Sequence, residues 1–156
     1  MTTWVFDDGG RGAAGYRGDA GDCVVRAFTI ASGLPYRVIY DAANELGKAE
    51  HAARLRKSKY AGKRRLSSAR EGMTKDATRQ LADALGWVWT PTMFIGSGCR
   101  VHLRTDELPD GRLVAQVSKH TTAVVDGVIH DTYDPSRDGT RCVYGYWTAP
   151  QLGGAS

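Results

Sequence analysis

Three residues in this chain have the types that nucleophilic acyl chemistry requires: a cysteine at 23, a histidine at 120 and an aspartate at 131. A histidine held by a carboxylate can act as a general base, and it then needs a nucleophile to deprotonate. Cys23 is the strongest candidate. It opens the apolar run Cys23-Val24-Val25-Arg26-Ala27-Phe28-Thr29-Ile30-Ala31-Ser32, which reads as a short buried helix with Asp22 as N-cap and Gly33 as C′ residue. At a helix start, unpaired backbone N–H groups and the positive dipole end favour a thiolate and offer donors to an oxyanion.

A turn links the other two residues. Asp126-Gly127 between Val124-Val125 and Val128-Ile129 predicts a two-residue hairpin. In that register Val125 faces Val128, Val124 faces Ile129, Thr122 faces Asp131 and His120 faces Tyr133. Period-two alternation then puts His120, Thr122, Asp131 and Tyr133 on one face, with His130 and Asp134 on the other. Diagonal neighbours of this kind lie about 7–8 Å apart at the backbone, close enough for a carboxylate to reach an imidazole.

The elements that must position these groups follow from periodicity. A second helix fits Pro35 to Leu46, with Val38, Ile39, Ala42, Ala43 and Leu46 as its apolar stripe and Gly47 as its stop. A third runs from Lys75 to Leu85, capped by Thr74 and ended by Gly86. Short β-branched or aromatic runs follow at 87–89, 113–117, 121–125, 128–133 and 143–147. Helices first and antiparallel strands second argue for an α+β fold. Residues 1–22, with six glycines between 7 and 22, read as a glycine-rich leader, 23–150 as one domain and 151–156 as a flexible tail.

Taken together, the segments Gly21-Asp22-Cys23-Val24-Val25-Arg26-Ala27 and His120-Thr121-Thr122-Ala123-Val124-Val125-Asp126-Gly127-Val128-Ile129-His130-Asp131-Thr132 resemble the papain-like cysteine peptidases. The likeness is greatest to small phage and bacterial members related to the bacteriocin-leader peptidases. It implies a papain-like fold, with a buried N-terminal helix bearing Cys23 packed on a C-terminal sheet bearing His120 and Asp131. It also implies a tryptophan among Trp87, Trp89 and Trp147 that shields the His–Asp hydrogen bond. Papain-like enzymes place a glutamine about six residues before the nucleophile as an oxyanion donor. Here that position is Arg17, so Arg17 and the Cys23 backbone N–H are the oxyanion candidates. Relatives with an Asp-Pro pair make Asp134, before Pro135, the alternative third residue.

The remaining features bound the function. At 156 residues, with 42% hydrophobic and 24% charged residues, the chain suits one globular domain, and no apolar run approaches the length of a membrane span. No signal-peptide pattern opens the chain, so a cytoplasmic location is expected. Cys99 and Cys142 read as inert fillers rather than disulfide partners, and no zinc-ligand spacing appears. No metal or cofactor is called for.

The net charge of +4 comes from Arg54, Arg56, Lys57, Lys59, Lys63, Arg64, Arg65 and Arg70, in a stretch from His51 to Arg70 without an acid. It reads as a solvated surface, or as a site for nucleic acid or an acidic partner through Arg64 and Arg65. Arg26 reads as an ion-pair partner of Asp19 or Asp22, or as a substrate contact.

The expected function is a cysteine hydrolase cleaving peptide or isopeptide bonds through an acyl-enzyme. The alternatives are a catalytically silent papain-like binding module that uses residues 54–70, and a Cys-His-Asp acyltransferase.

Overall fold

The computed structural model describes residues 3–18, 20–57 and 67–150, the side chains of 54–57 excepted. The fold is α+β. Strand β1 (Thr3–Phe6) is followed by helices α1 (Cys23–Ser32), α2 (Tyr36–Lys57) and α3 (Lys75–Ala84). Strands β2 (Val88–Pro91), β3 (Arg112–Val117), β4 (His120–Val125), β5 (Val128–Asp131) and β6 (Val143–Thr148) complete it. They form one six-stranded sheet in the order β1-β5-β4-β3-β6-β2.

The sheet is mixed, where the sequence suggests an antiparallel one. Every pairing is antiparallel except that of β1, which runs parallel to β5 with Trp4 opposite Ile129 and Val5 opposite His130. No turn joins β1 to β5, so local pattern carries no sign of the pairing. The N-terminal stretch therefore does more than lead into the domain. Asp7 and Asp8 fold the chain back after β1 by accepting the backbone N–H groups of Gly9, Gly10 and Gly12.

Alternation along the central strands separates two apolar clusters. Val114, Ala123 and Trp147 pack with Val25, Phe28, Ile39, Leu81 and Trp87 beneath the helices. Leu113, Ala115, Val117, Val124 and Ile129 gather with Leu103 and Leu108 on the opposite face. Helix α1 lies in the first cluster and is apolar nearly all round, with Val25, Ala27, Phe28 and Ala31 at most 2% exposed. It ends where the sequence indicates: Gly33 adopts φ 74° and its N–H caps the Thr29 carbonyl.

Gly47 does not stop α2, which continues to Lys57. A Cβ at this position would sit 2.1 Å from the Ser67 carbonyl oxygen. The glycine thus serves the close approach of another segment rather than helix termination. The second departure concerns Cys99 and Cys142, which form a disulfide with Cα atoms 5.7 Å apart, leaving Cys23 as the free thiol. The two cysteines are 43 positions apart along the chain, and no spacing motif announces the bridge.

Candidate active site

The hairpin between β4 and β5 has the register that its Asp-Gly turn dictates. Val125 pairs with Val128, Val124 with Ile129 and Ala123 with His130, while Asp126 and Gly127 take φ 48° and 80°. Strand β5 ends at Asp131, so the ladder stops short of Tyr133. On β4, His120 and Thr122 share a face, and both reach the same carboxylate. His120 Nε2–H donates to Asp131 Oδ2 at 2.7 Å, and the Thr122 hydroxyl donates to the same oxygen at 2.7 Å.

The other oxygen of Asp131 is also filled. Oδ1 accepts Arg26 Nη2 at 3.0 Å and the Thr132 backbone N–H at 2.7 Å. A carboxylate that takes four donors at 1% exposure is an ion held in place. Burial pushes its pKa up, yet the bonds from His120 and Thr122 and the charges of His120 and Arg26 outweigh it and hold Asp131 below its ordinary value.

With Nε2 committed to Asp131, Nδ1 is the ring nitrogen left for Cys23, at the first position of α1, whose thiol is near enough for the imidazole to act on its ionisation. Burial disfavours the thiolate, but the His120 hydrogen bond and charge, the Thr121 backbone N–H and the Arg26 charge together bring the Cys23 pKa below normal. Burial likewise disfavours the imidazolium, while Asp131 and Cys23 raise the His120 pKa above normal. The opposed shifts favour a thiolate–imidazolium pair that titrates as a unit.

Cys23 and His120 lie on the wall of a cavity of about 680 Å³, together with Met73, Lys119, Tyr133 and Tyr144. That volume is in the range of small-ligand and peptide side-chain sites. Gln116 lines it too, but its amide is occupied. Nε2 donates to the Val117 and His120 carbonyls, and Oε1 accepts the Thr121 hydroxyl. It therefore braces the two-residue turn that delivers His120. Nothing in the sequence distinguishes this glutamine from an ordinary strand residue, because its partners, two backbone carbonyls and the Thr121 hydroxyl, are supplied by the strand end and turn around it. The ring that lies against His120 is Tyr133, with centroids 5.1 Å apart. The tryptophans are elsewhere: Trp87 and Trp147 pack on Phe28, and Trp89 packs on Trp147.

The other candidates fall apart from this centre. Asp134 is exposed and accepts the Ser136 backbone N–H, so it takes no part in holding His120. Arg17 is exposed and does not line the cavity. Asp22, expected as a side-chain N-cap, makes no cap bond and instead receives Arg26 Nη1 at 2.7 Å and the Tyr36 hydroxyl at 2.6 Å. His130 bonds Asp7 on the N-terminal stretch. Arg64 and Arg65 lie outside the described residues, as do Asp19, Lys59, Lys63, the side chains of Arg54, Arg56 and Lys57, and the tail 151–156. Among the described residues no helix is long and apolar enough to cross a membrane.

No protein-family model matches this chain, and neither does any curated protein or solved structure. Its α+β class and the geometry of the Cys23–His120–Asp131 cluster are therefore the ground on which a functional reading stands.

Proposed function

We propose that the chain is a cysteine hydrolase of papain-like architecture that cleaves peptide or isopeptide bonds. The observation that carries this reading is that the Asp131–His120 hydrogen bond and the free thiol of Cys23 meet on the wall of one cavity. His120 Nδ1 takes the Cys23 proton, and the thiolate adds to the substrate carbonyl carbon. The oxyanion forms beside the start of α1, where the backbone N–H groups of the first turn are without helical partners. The imidazolium gives its proton to the leaving amine as the C–N bond breaks. It then accepts a proton from the water that attacks the thioester, which releases the acid and restores the thiol.

Asp131 stays ionised throughout and stabilises the imidazolium. Transfer of the acyl group to an acceptor other than water would use the same residues.

The test is alkylation of Cys23 by iodoacetamide across pH, alongside turnover of a fluorogenic peptide library. Reaction should begin well below the ordinary thiol pKa of about 8.5, and turnover should disappear in Cys23→Ala. A profile that rises only at the ordinary thiol value would overturn the reading.

A further inference from the structure

The hydrolytic mechanism leaves one buried cation without a role. Arg26 lies on α1 three residues after Cys23, and its side chain is 9% exposed. Nη1 meets Asp22 at 2.7 Å and Nη2 meets Asp131 at 3.0 Å, with the two carboxylates only 2% and 1% exposed. A structural ion pair is complete with one carboxylate. Here the guanidinium is shared between two, and the second is the one that holds His120.

We propose that Arg26 is a positioning residue for the Cys23–His120 pair, and that Asp22 governs how much of its positive charge the pair experiences. This inference rests on the hydrolase reading and deepens it. Arg26 Nη2 and the Thr132 N–H fix Oδ1 of Asp131, so that Oδ2 is turned to His120 and Thr122. At the same time the guanidinium offsets the Asp131 charge, which would otherwise oppose a second anion at Cys23. Asp22 draws that cation the other way and is itself steadied by the Tyr36 hydroxyl from α2 and by Arg11, whose Nε lies 3.6 Å away. The ionisable groups around the pair are thus Asp22 just before α1, Asp131 on β5, Tyr133 against the His120 ring, Tyr36 on α2 and Arg11 on the N-terminal stretch, where Asp7 is paired with His130. Glu71, Lys75 and Lys119 line the cavity beyond them.

A buried cation that acts electrostatically should translate the pH profile of the thiol, whereas one that merely packs should change stability and leave the profile in place. The experiment is the pH dependence of iodoacetamide alkylation at Cys23 in the full chain, with near-ultraviolet circular dichroism as the folding control. Arg26→Gln should move the onset of alkylation to higher pH by about one unit, a tenfold slower reaction on the acid side. Arg26→Lys, which keeps the charge, should stay near the wild-type profile. Asp22→Asn keeps one acceptor oxygen, for Arg26, and offers an amide NH₂ toward the Tyr36 hydroxyl, which can turn to accept it. It removes the charge that draws the cation away and should move the onset to lower pH.

Opposite displacements in Arg26→Gln and Asp22→Asn support the proposal. An unmoved profile in folded Arg26→Gln overturns it, as does an Arg26→Lys profile displaced as far as that of Arg26→Gln. If Arg26→Gln does not fold, Asp22→Asn decides, and an onset that is unchanged or raised overturns the proposal. A wild-type onset at the ordinary thiol value overturns the hydrolase reading as well. A low wild-type onset that no variant moves overturns the Arg26 assignment alone.

Discussion

Replacing Asp131 by asparagine tests the site through its hydrogen-bond inventory. The carboxylate accepts His120 Nε2 and Thr122 Oγ1 on one oxygen, and Arg26 Nη2 and the Thr132 N–H on the other. An amide has one acceptor oxygen and one donor nitrogen, so in either flip two donors face an NH₂ group. Each charged or buried bond lost costs about 1.5–3 kcal/mol, and the Arg26 charge is left facing a neutral partner, so the total comes to about 3–5 kcal/mol. For a domain of this size that corresponds to a fall in Tm on the order of 10 °C.

The sign with pH follows from linkage. The folded-state pKa of Asp131 is depressed, so its contribution is present above the unfolded value of about 3.9 and is lost as pH falls through the folded value. Calorimetry of wild type and Asp131→Asn should therefore show a wide gap at neutral pH that closes in strong acid. A gap under about 2 °C at neutral pH would refute the four-donor account, because double replacement of acceptors cannot be that cheap. So would a gap that stays constant down to strong acid, since protonation of the wild-type carboxylate must remove it.

Other expectations concern separate parts of the molecule. On the proposed hydrolase reading, Cys23→Ala and His120→Ala should each abolish turnover, because a nucleophile and its base act as a unit, while Asp134→Ala should retain nearly wild-type kcat/KM. Thiol titration in denaturant should count one reactive group before reduction and three after it, and reducing the Cys99–Cys142 bridge should lower stability by about 4 kcal/mol on the loop-entropy relation. Gly47→Ala improves helix propensity by about 1 kcal/mol. Its Cβ would meet the Ser67 carbonyl, so urea unfolding should show a net loss of about 1–3 kcal/mol. A stabilised variant would show that Ser67 moves freely.

Local chemistry determined a definite part of this protein. The Asp-Gly turn set the β4–β5 register because a two-residue hairpin leaves no other pairing, and that register brought His120, Thr122 and Asp131 to a common point. The bounds of α1 were equally local: an apolar run, with Gly33 in the left-handed conformation, ends at a position that contacts elsewhere do not alter. The α+β class followed from the order of the patterns.

What only the tertiary structure decided depends on groups far apart in the chain. Strand β1 joins β5 without a turn to announce it, Cys99 meets Cys142 from 43 positions away, and Gly47 answers to Ser67 rather than to its own helix. Asp22 illustrates the difference within a single residue. Its position before α1 suggests an N-cap, but the packing of α1 places Arg26 and Tyr36 within reach, and a buried cation with two buried carboxylates gains more from pairing than a helix end gains from a cap. A short-range preference worth about 1 kcal/mol yields wherever burial makes an unpaired charge cost several times more.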